Sequence, residues 1–252
     1  MKAVRLLRPD IDICFVADQA NVPYGSRNPE QVQEFAAGIT KFLIGEGAEL
    51  IVVACNAASA SALYGLRETF PNIPFVGMEP AVKPAANLSS SRTVGVLATP
   101  VTFHGKLYND TIERFASNVN ILTSTCPGLV EQIEAGNLDG LSTRSILEEA
   151  LIPMIEARAD MIVLGCTHYP FVIPLVQSIV GPNVNVIDPS PAIARQVDKI
   201  LNDKGCPTKN AGHTQIYTSG NPGKLIDVLP GFLGNSHPVR KLRWNDSTLI
   251  SV

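Results

Sequence analysis

The sequence is poor in the features that mark secreted, membrane-spanning and nucleic-acid-binding proteins. Its five cysteines are scattered and form no CxxC pair, which argues against a disulfide framework and against a zinc site. No apolar run reaches the roughly 20 residues that a transmembrane helix needs, and no signal-peptide pattern opens the chain. Lys and Arg form no dense cluster, and the net charge is -3. We therefore expect a cytoplasmic protein with free thiols that binds neither nucleic acid nor a membrane.

The sequence also lacks the glycine-rich motifs that bind common cofactors. It has no GxGxxG segment after a predicted strand and no Walker loop, so we predict a chain that uses no cofactor and no metal ion. The remaining composition is that of an ordinary globular protein, with 45% hydrophobic and 17% charged residues. A chain of 252 residues is long enough to form one large domain or two lobes of ordinary size.

Short apolar runs alternate along the chain with segments of helical periodicity. This alternation predicts an α/β fold with mainly parallel sheets flanked by helices. The predicted strands are residues 11–17, 73–78, 93–98, 119–123, 184–188, 215–218 and 239–242, together with the runs that end at Cys55 and Cys166. The predicted helices are residues 1–8, 30–43, 57–70, 106–115, 129–135, 145–157 and 192–201, with another after Tyr169. Residues 79–91 and 99–105 have the small and polar character of loops.

Two stretches of the chain share one pattern. Residues 49–60 are ELIVVACNAASA and residues 160–170 are DMIVLGCTHYP, so each has an acidic residue, a run of β-formers, a small residue and a cysteine. Such runs are typical of buried parallel strands, which places Cys55 and Cys166 at the carboxyl ends of their strands. Open α/β sheets bind their ligands at that end. The repeated pattern therefore predicts two thiols that face one site.

The two halves of the chain show a weak internal symmetry in the order of their predicted elements, which predicts two similar lobes. We assign residues 1–79 and 188–252 to the first lobe, which contains Cys55, and residues 80–187 to the second, which contains Cys166. The first half has no counterpart of the strand at residues 93–98 and its following loop. Because a first strand commonly lies centrally in a doubly wound sheet, we expect that the natural N-terminus has been lost or that the start was assigned too late.

A cysteine between a strand and a helix is well placed for acid–base chemistry. Free backbone N–H groups and the positive end of the helix dipole both favour its thiolate. His168 follows Cys166 by two residues and would hold a proton or exchange one with it. Two such cysteines on opposite faces of a substrate suit stereoinversion, in which one thiolate removes a proton from carbon and the other thiol delivers one.

Four segments of the chain strongly resemble glutamate racemases of the cofactor-independent aspartate/glutamate racemase superfamily. These segments are ADQANVPYG (17–25), ACNAASA (54–60), CPGLVEQIEAG (126–136) and LGCTHYP (164–170). The resemblance implies two α/β lobes with the active site between them, and interconversion of L- and D-glutamate. It also implies supply of D-glutamate to peptidoglycan precursors for the cell wall, and a homo-oligomer such as a dimer.

The resemblance also implies roles for individual residues. Cys55 and Cys166 would be the two acid/base thiols, with His168 assisting Cys166. The residues it assigns to the substrate are Pro23, Tyr24, Gly25, Asn56, Ala57, Thr99, Thr102, Glu134 and Thr167. Donors from hydroxyl and backbone N–H groups suit a substrate with two carboxylates.

The chain departs from the family pattern at two places. The family usually begins with a strand and an Asp-Ser-Gly loop whose Asp assists the first cysteine, and this chain starts after that point. Ala57 stands where the family usually has Thr, which removes a hydroxyl worth about 1 kcal/mol if it bonds the substrate. Two alternatives therefore remain: a racemase of aspartate or another amino acid, and a catalytically impaired form that only binds glutamate or a protein partner.

Other candidate residues have simpler explanations. Cys14 lies inside a predicted strand and is expected in the core. Cys126 precedes Pro127 at a turn and is expected to be structural, and Cys206 is expected to be exposed. Asp18 is either a loop charge or a site residue. The SGNPG segment at residues 219–223 predicts only a turn.

Overall fold

The computed structural model describes residues 1–206, 210–234 and 236–252. Strands and helices alternate along this part of the chain, and the sheets are mainly parallel, which confirms the predicted α/β class. The strands are β1 (Ile13–Ala17), β2 (Ile51–Val53), β3 (Phe75–Gly77), β4 (Thr93–Ala98), β5 (Asn120–Ser124), β6 (Met161–Gly165), β7 (Asn185–Ile187), β8 (Thr214–Thr218), β9 (Val239–Asn245) and β10 (Thr248–Ser251).

The helices follow the same order. They are α1 (Lys2–Leu7), α2 (Pro29–Gly45), α3 (Asn56–Thr69), α4 (Val82–Leu88), α5 (Pro100–His104), α6 (Lys106–Phe115), α7 (Leu129–Glu134), α8 (Leu141–Glu156), α9 (Ile173–Val180), α10 (Ser190–Asp203) and α11 (Pro222–Leu233). Two short 3-10 helices lie at Tyr24–Ser26 and Tyr169–Val172.

The contacts of the described residues divide them into two compact units. The first unit comprises Met1–Ala54, Ser61–Gly77 and Ser190–Val252, and the second comprises Cys55–Ala60 and Met78–Pro189. Cys55 thus belongs by its contacts to the same unit as Cys166. The reason lies in the first turn of α3, where the Ser59 hydroxyl accepts a hydrogen bond of 2.8 Å from the Met78 N–H.

The second unit is built on one parallel sheet with strand order β5-β4-β6-β7. Every residue of the two central strands, β4 and β6, is buried, as expected for apolar runs whose two faces are both covered by helices. A side chain at Gly165 would lie 2.7 Å from the Ala98 Cβ, so only glycine fits at the end of β6. The chain continues directly from Gly165 to Cys166, which therefore lies at the carboxyl end of the strand, as predicted.

The first unit contains two sheets. One has the strand order β1-β8-β9-β10, with β1, β8 and β9 parallel and β10 antiparallel to β9; the other pairs β2 with β3 in parallel. Ala17 is in register with Thr218, so the residues that follow them, Asp18 and Ser219, leave the sheet side by side. Trp244 lies near the end of β9, the strand that pairs with β8.

Three helices and one strand are absent from the sequence-based prediction. Residues 79–91 contain α4, whose Val82, Ala85 and Ala86 are buried at helical spacing; the segment was mistaken for a loop because its residues are small. Residues 99–105 contain the short helix α5.

The segment predicted as a turn at residues 219–223 instead leads into α11. Asn221 caps this helix, since its side chain accepts from the N–H groups of Gly223 and Lys224. Two glycines and Pro230 mask the helical pattern in the sequence. Strand β10 was also missed.

Candidate functional site

The clearest cluster of titratable side chains lies after β6 in the second unit. The strand delivers the buried Cys166, and His168 follows it so that the Cys166 Sγ lies 4.0 Å from the His168 Nδ1. The other ring nitrogen, Nε2, lies 2.7 Å from the Oε1 of Glu134, the last residue of α7. The structure thus brings three predicted site residues into one chain of contacts: thiol, imidazole and carboxylate.

The charge of His168 follows from these two contacts. Burial opposes the charged ring, but the hydrogen bonds with Cys166 and Glu134 outweigh it and raise the pKa of His168 to about 9. At neutral pH the ring is therefore an imidazolium, and both of its nitrogens donate: Nδ1 to the sulfur and Nε2 to the carboxylate. Cys166 thus has a cationic hydrogen-bond donor beside its sulfur.

Cys55 has a different environment. It lies directly before α3, and its Sγ accepts a hydrogen bond of 3.5 Å from the Ala58 N–H. Burial nevertheless raises the pKa of the Cys55 thiol to about 11, and the nearby Cys166 adds to the increase. The predicted help from the helix N-terminus is present, but desolvation outweighs it, so Cys55 is a protonated thiol at neutral pH.

A third cysteine lies beside Cys166. Cys126 is buried, and burial together with the nearby Cys166 raises the pKa of its thiol to about 12, while a hydrogen bond with Tyr169 opposes the increase. Burial and both cysteines raise the pKa of Tyr169. We predicted Cys126 as a structural residue at a turn and did not single out Tyr169. Tyr169 follows Cys166 by three residues, whereas Cys126 approaches Cys166 from a segment 40 residues away. The sequence contains one indication of a site position for Cys126: it is the first residue of the motif CPGLVEQIEAG, which also contains Glu134.

Asn56, Thr99 and Thr102 lie near one another in the second unit. Asn56 and Thr102 line a pocket of about 10 Å³ together with Ala60, Met78, Glu79, Pro80, Leu107 and Tyr108. The hydroxyls of Thr99 and Thr102 are 3.1 Å apart. Asn56 is 3% exposed, and within the described ranges both of its amide atoms lack a hydrogen-bond partner. A buried amide in this state is costly unless a ligand or water bonds it.

The remaining predicted residues occupy two other positions. Ala57 is buried in the first turn of α3, and its methyl side chain offers no hydroxyl for hydrogen bonding. Thr167 is half-buried and lies between Cys166 and His168 in the sequence. Pro23, Tyr24 and Gly25 belong to the first unit, where a cis Val22–Pro23 peptide leads into the 3-10 helix.

Asp18 accepts more hydrogen bonds than the sequence indicated. Its carboxylate accepts hydrogen bonds from Asn21, Tyr24, Ser219 and Trp244. The sequence could not reveal the last two donors, which lie about 200 residues away and approach Asp18 only because β1 pairs with β8.

The described residues were also compared with the requirements of a metal site and of a membrane-spanning helix. Over the ranges that the structure describes, no group of three or more His, Cys, Asp or Glu side chains is arranged to hold a metal ion. None of the helices in those ranges is long and apolar enough to cross a membrane. The chemistry that the described residues offer is thus that of thiols, an imidazolium, a carboxylate and hydrogen-bond donors.

Comparison with known proteins identifies the family of this chain. The family model of Asp/Glu/Hydantoin racemase matches residues 3–197. A glutamate racemase from Roseiflexus sp. (strain RS-1) is 45% identical over 233 residues, which are 91% of this chain and 85% of the relative.

Solved structures give the same result. A glutamate racemase from Francisella tularensis in complex with D-glutamate superposes with a TM-score of 0.83 at 28% identity, over 97% of this chain and 91% of that one. Glutamate racemase from Escherichia coli, in complex with L-glutamate and the activator UDP-MurNAc-ala, superposes with a TM-score of 0.82 at 27% identity, over 100% of this chain and 93% of that one. This chain belongs to the Asp/Glu/Hydantoin racemase family.

Proposed function

We propose that this protein is a cofactor-independent glutamate racemase that interconverts L- and D-glutamate by proton transfer through Cys55 and Cys166. The observation that carries the proposal is the contact chain from Cys166 through His168 to Glu134, in the same unit as Cys55. The relatives named glutamate racemase and the structures bound to L- and D-glutamate supply the substrate.

The proposed reaction is a balanced exchange of two protons. The thiolate of one cysteine removes the α-proton from one face of glutamate, and the electron pair remains on the α-carbon as a carbanion. The thiol of the other cysteine gives its proton to the opposite face, which inverts the centre. The enzyme finishes with its thiol and thiolate exchanged, ready for the reverse direction.

The different environments of the two cysteines are consistent with the two proton-transfer roles in the proposed reaction. The Cys166 sulfur lies 4.0 Å from the Nδ1 of His168, while burial raises the pKa of the Cys55 thiol to about 11. Cys55 is therefore prepared to donate a proton, and His168 lies where it would exchange a proton with Cys166.

The remaining predicted residues would bind and orient the substrate. Asn56, whose amide has no partner among the described residues, and the hydroxyls of Thr99, Thr102 and Thr167 would bond the carboxylates and the ammonium group. The segment Pro23-Tyr24-Gly25 would contribute backbone N–H groups, and Glu134 would act through His168. Ala57 would contribute packing only.

The cellular role follows from the product. D-Glutamate would enter peptidoglycan precursors, and the enzyme would act as a cytoplasmic homodimer. The family membership and the relatives whose structures contain D- or L-glutamate support the product on which this role depends.

The test is the replacement of each cysteine by serine. Cys55→Ser and Cys166→Ser should each lower the rate of glutamate racemisation by at least about a hundredfold, the usual contribution of a general acid or base, with an unchanged circular dichroism spectrum. Cys206→Ser, at a half-buried cysteine of the first unit, is the matched control and should retain full activity. Undiminished turnover by either of the first two variants would refute the two-thiol mechanism, and turnover of aspartate in preference to glutamate would refute the substrate.

A further inference from the structure

We propose that Asp18 is a positioning residue that fixes the segment Pro23-Tyr24-Gly25, and that Trp244 reports the state of this segment. The inference rests on the proposed function, because that segment binds a substrate only if the chain acts on glutamate. Asp18 acts through Tyr24 and is not itself assigned to contact the substrate.

Asp18 is a buried carboxylate, 7% exposed, that is saturated with hydrogen bonds. Its Oδ1 accepts from the Ser219 hydroxyl at 2.6 Å and from the Trp244 Nε1 at 2.7 Å. Its Oδ2 accepts from the Tyr24 hydroxyl at 2.5 Å and from the Asn21 amide at 3.0 Å. Burial of a charge is expensive unless several donors replace water, and here four side chains do so.

The four donors come from three separate parts of the first unit. Asn21 and Tyr24 belong to the loop after β1, Ser219 follows β8, and Trp244 lies in β9. The carboxylate therefore joins the loop to the ends of two neighbouring strands. The Ser219 hydroxyl also accepts from the Ala20 N–H at 3.0 Å, which adds a second connection between loop and sheet.

Tyr24 is held on two sides by the same group of residues. Its hydroxyl donates to Asp18, and its ring stacks on Phe35 with centroids 5.9 Å apart. Phe35 in turn packs against Trp244 at 5.4 Å. The position of Tyr24, and with it the backbone N–H groups of the 3-10 helix, thus depends on the Asp18–Trp244 pair.

An asparagine cannot replace this carboxylate. The amide has one acceptor oxygen, and its NH₂ group would face donors that also need an acceptor. The Asp18→Asn variant therefore keeps the volume of the side chain while it releases Tyr24 or Trp244. This makes it a specific probe of positioning.

A purely structural role would have different consequences. It would lower the melting temperature and the fraction of folded enzyme, while the remaining enzyme would bind glutamate as before. A positioning role raises the KM for glutamate with a smaller effect on kcat, because the segment binds the substrate but does not transfer protons.

The experiment compares the full-length wild type with Asp18→Asn and with Asp227→Asn, which changes an exposed carboxylate on α11. We expect Asp18→Asn to raise KM about tenfold, the effect of one lost hydrogen bond to a charged group, and to change kcat less than about threefold. Because the chain has 1 Trp, its fluorescence reports on this site alone. Glutamate should change the Trp244 emission in the wild type and in Asp227→Asn, and the change should be lost or strongly reduced in Asp18→Asn.

The outcomes separate the two proposals. An active wild type with an unchanged KM in folded Asp18→Asn overturns the positioning role alone, while a folded wild type without racemase activity overturns the proposed function and this inference with it. If Asp18→Asn does not fold, Ser219→Ala removes one donor from the same carboxylate. It should raise KM in the same direction by a smaller factor, and an unchanged KM there also overturns the positioning role.

Discussion

The Nε2 of His168 lies 2.7 Å from the Oε1 of Glu134, and this contact contributes to the positive charge of the ring beside Cys166. Burial lowers the pKa of His168, but the hydrogen bonds with the Cys166 sulfur and with the Glu134 carboxylate together outweigh burial and raise it to about 9. The same ring meets the sulfur with its other nitrogen. Glu134 therefore acts on the thiol through one intermediate ring.

Glu134→Gln tests this relationship through the pH profile. An amide carries no negative charge, so the pKa of His168 should fall toward its ordinary value of 6.5 and racemisation at pH 8 should drop by about tenfold, the cost of a lost charge-assisted hydrogen bond. The measurement is the pH dependence of kcat/KM. Glu113→Gln, at an exposed position on α6, is the control, and an identical profile for Glu134→Gln and the wild type would contradict the role of the pair.

The same pair predicts a pH dependence of stability. The pKa of His168 is raised by folding, so its contribution is fully present below pH 6.5 and is lost as the pH rises through about 9. Urea unfolding at pH 6 and pH 9.5 should show this loss in the wild type and a smaller loss in Glu134→Gln. Equal losses in the two proteins would contradict it.

Tyr108→Phe tests whether the buried Tyr108 hydroxyl has a hydrogen-bond partner in the ligand-free protein. The Tyr108 hydroxyl is buried and, within the described residues, has no hydrogen-bond partner. Removing such a group from the ligand-free protein should leave the free energy of unfolding unchanged or raise it by up to about 1 kcal/mol. A loss of more than about 1 kcal/mol in urea would instead indicate a water that bridges the hydroxyl to a neighbour. Tyr64→Phe, at an exposed position, is the control.

Asp160 stabilises the entry to β4. Its carboxylate accepts from the Ser89 hydroxyl at 2.6 Å and from the N–H groups of Ser90 and Ser91 at 2.7 and 2.9 Å. Burial opposes the charge, but these bonds lower the pKa of Asp160, so its contribution is present above pH 4 and is lost as the pH falls. Asp160→Ala should lower the free energy of unfolding at pH 7 by about 1–3 kcal/mol, with a smaller deficit at pH 3. A deficit that does not shrink in acid would contradict the assignment.

Local patterns predicted most of the fold. Helix α6 matches the predicted span of residues 106–115, and strand β4 matches residues 93–98, because their periodicity and apolar content are unambiguous. Helix α4 was missed because alanines replace the larger apolar residues that reveal an amphipathic face. Helix α11 was missed because its glycines and Pro230 lower the helical propensity that tertiary packing restores.

The site was predicted in part for the same reason. Cys166 and His168 are close in sequence, so their contact follows from one motif. Asp18 and Trp244 are separated by 226 residues and meet only through the register of the first sheet, which no local pattern specifies. The proximity of Cys126 to Cys166 likewise depends on the pairing of β4 with both β5 and β6.

The most direct test of the proposed function is the incorporation of solvent deuterium during the first turnovers of L-glutamate in D₂O. Two bases predict that the D-glutamate formed first carries deuterium at the α-carbon, while the remaining L-glutamate keeps its proton. Mass spectrometry of the separated enantiomers measures both. Label that enters L-glutamate as fast as the product, or a folded protein that produces neither label nor D-glutamate, would contradict the two-thiol account.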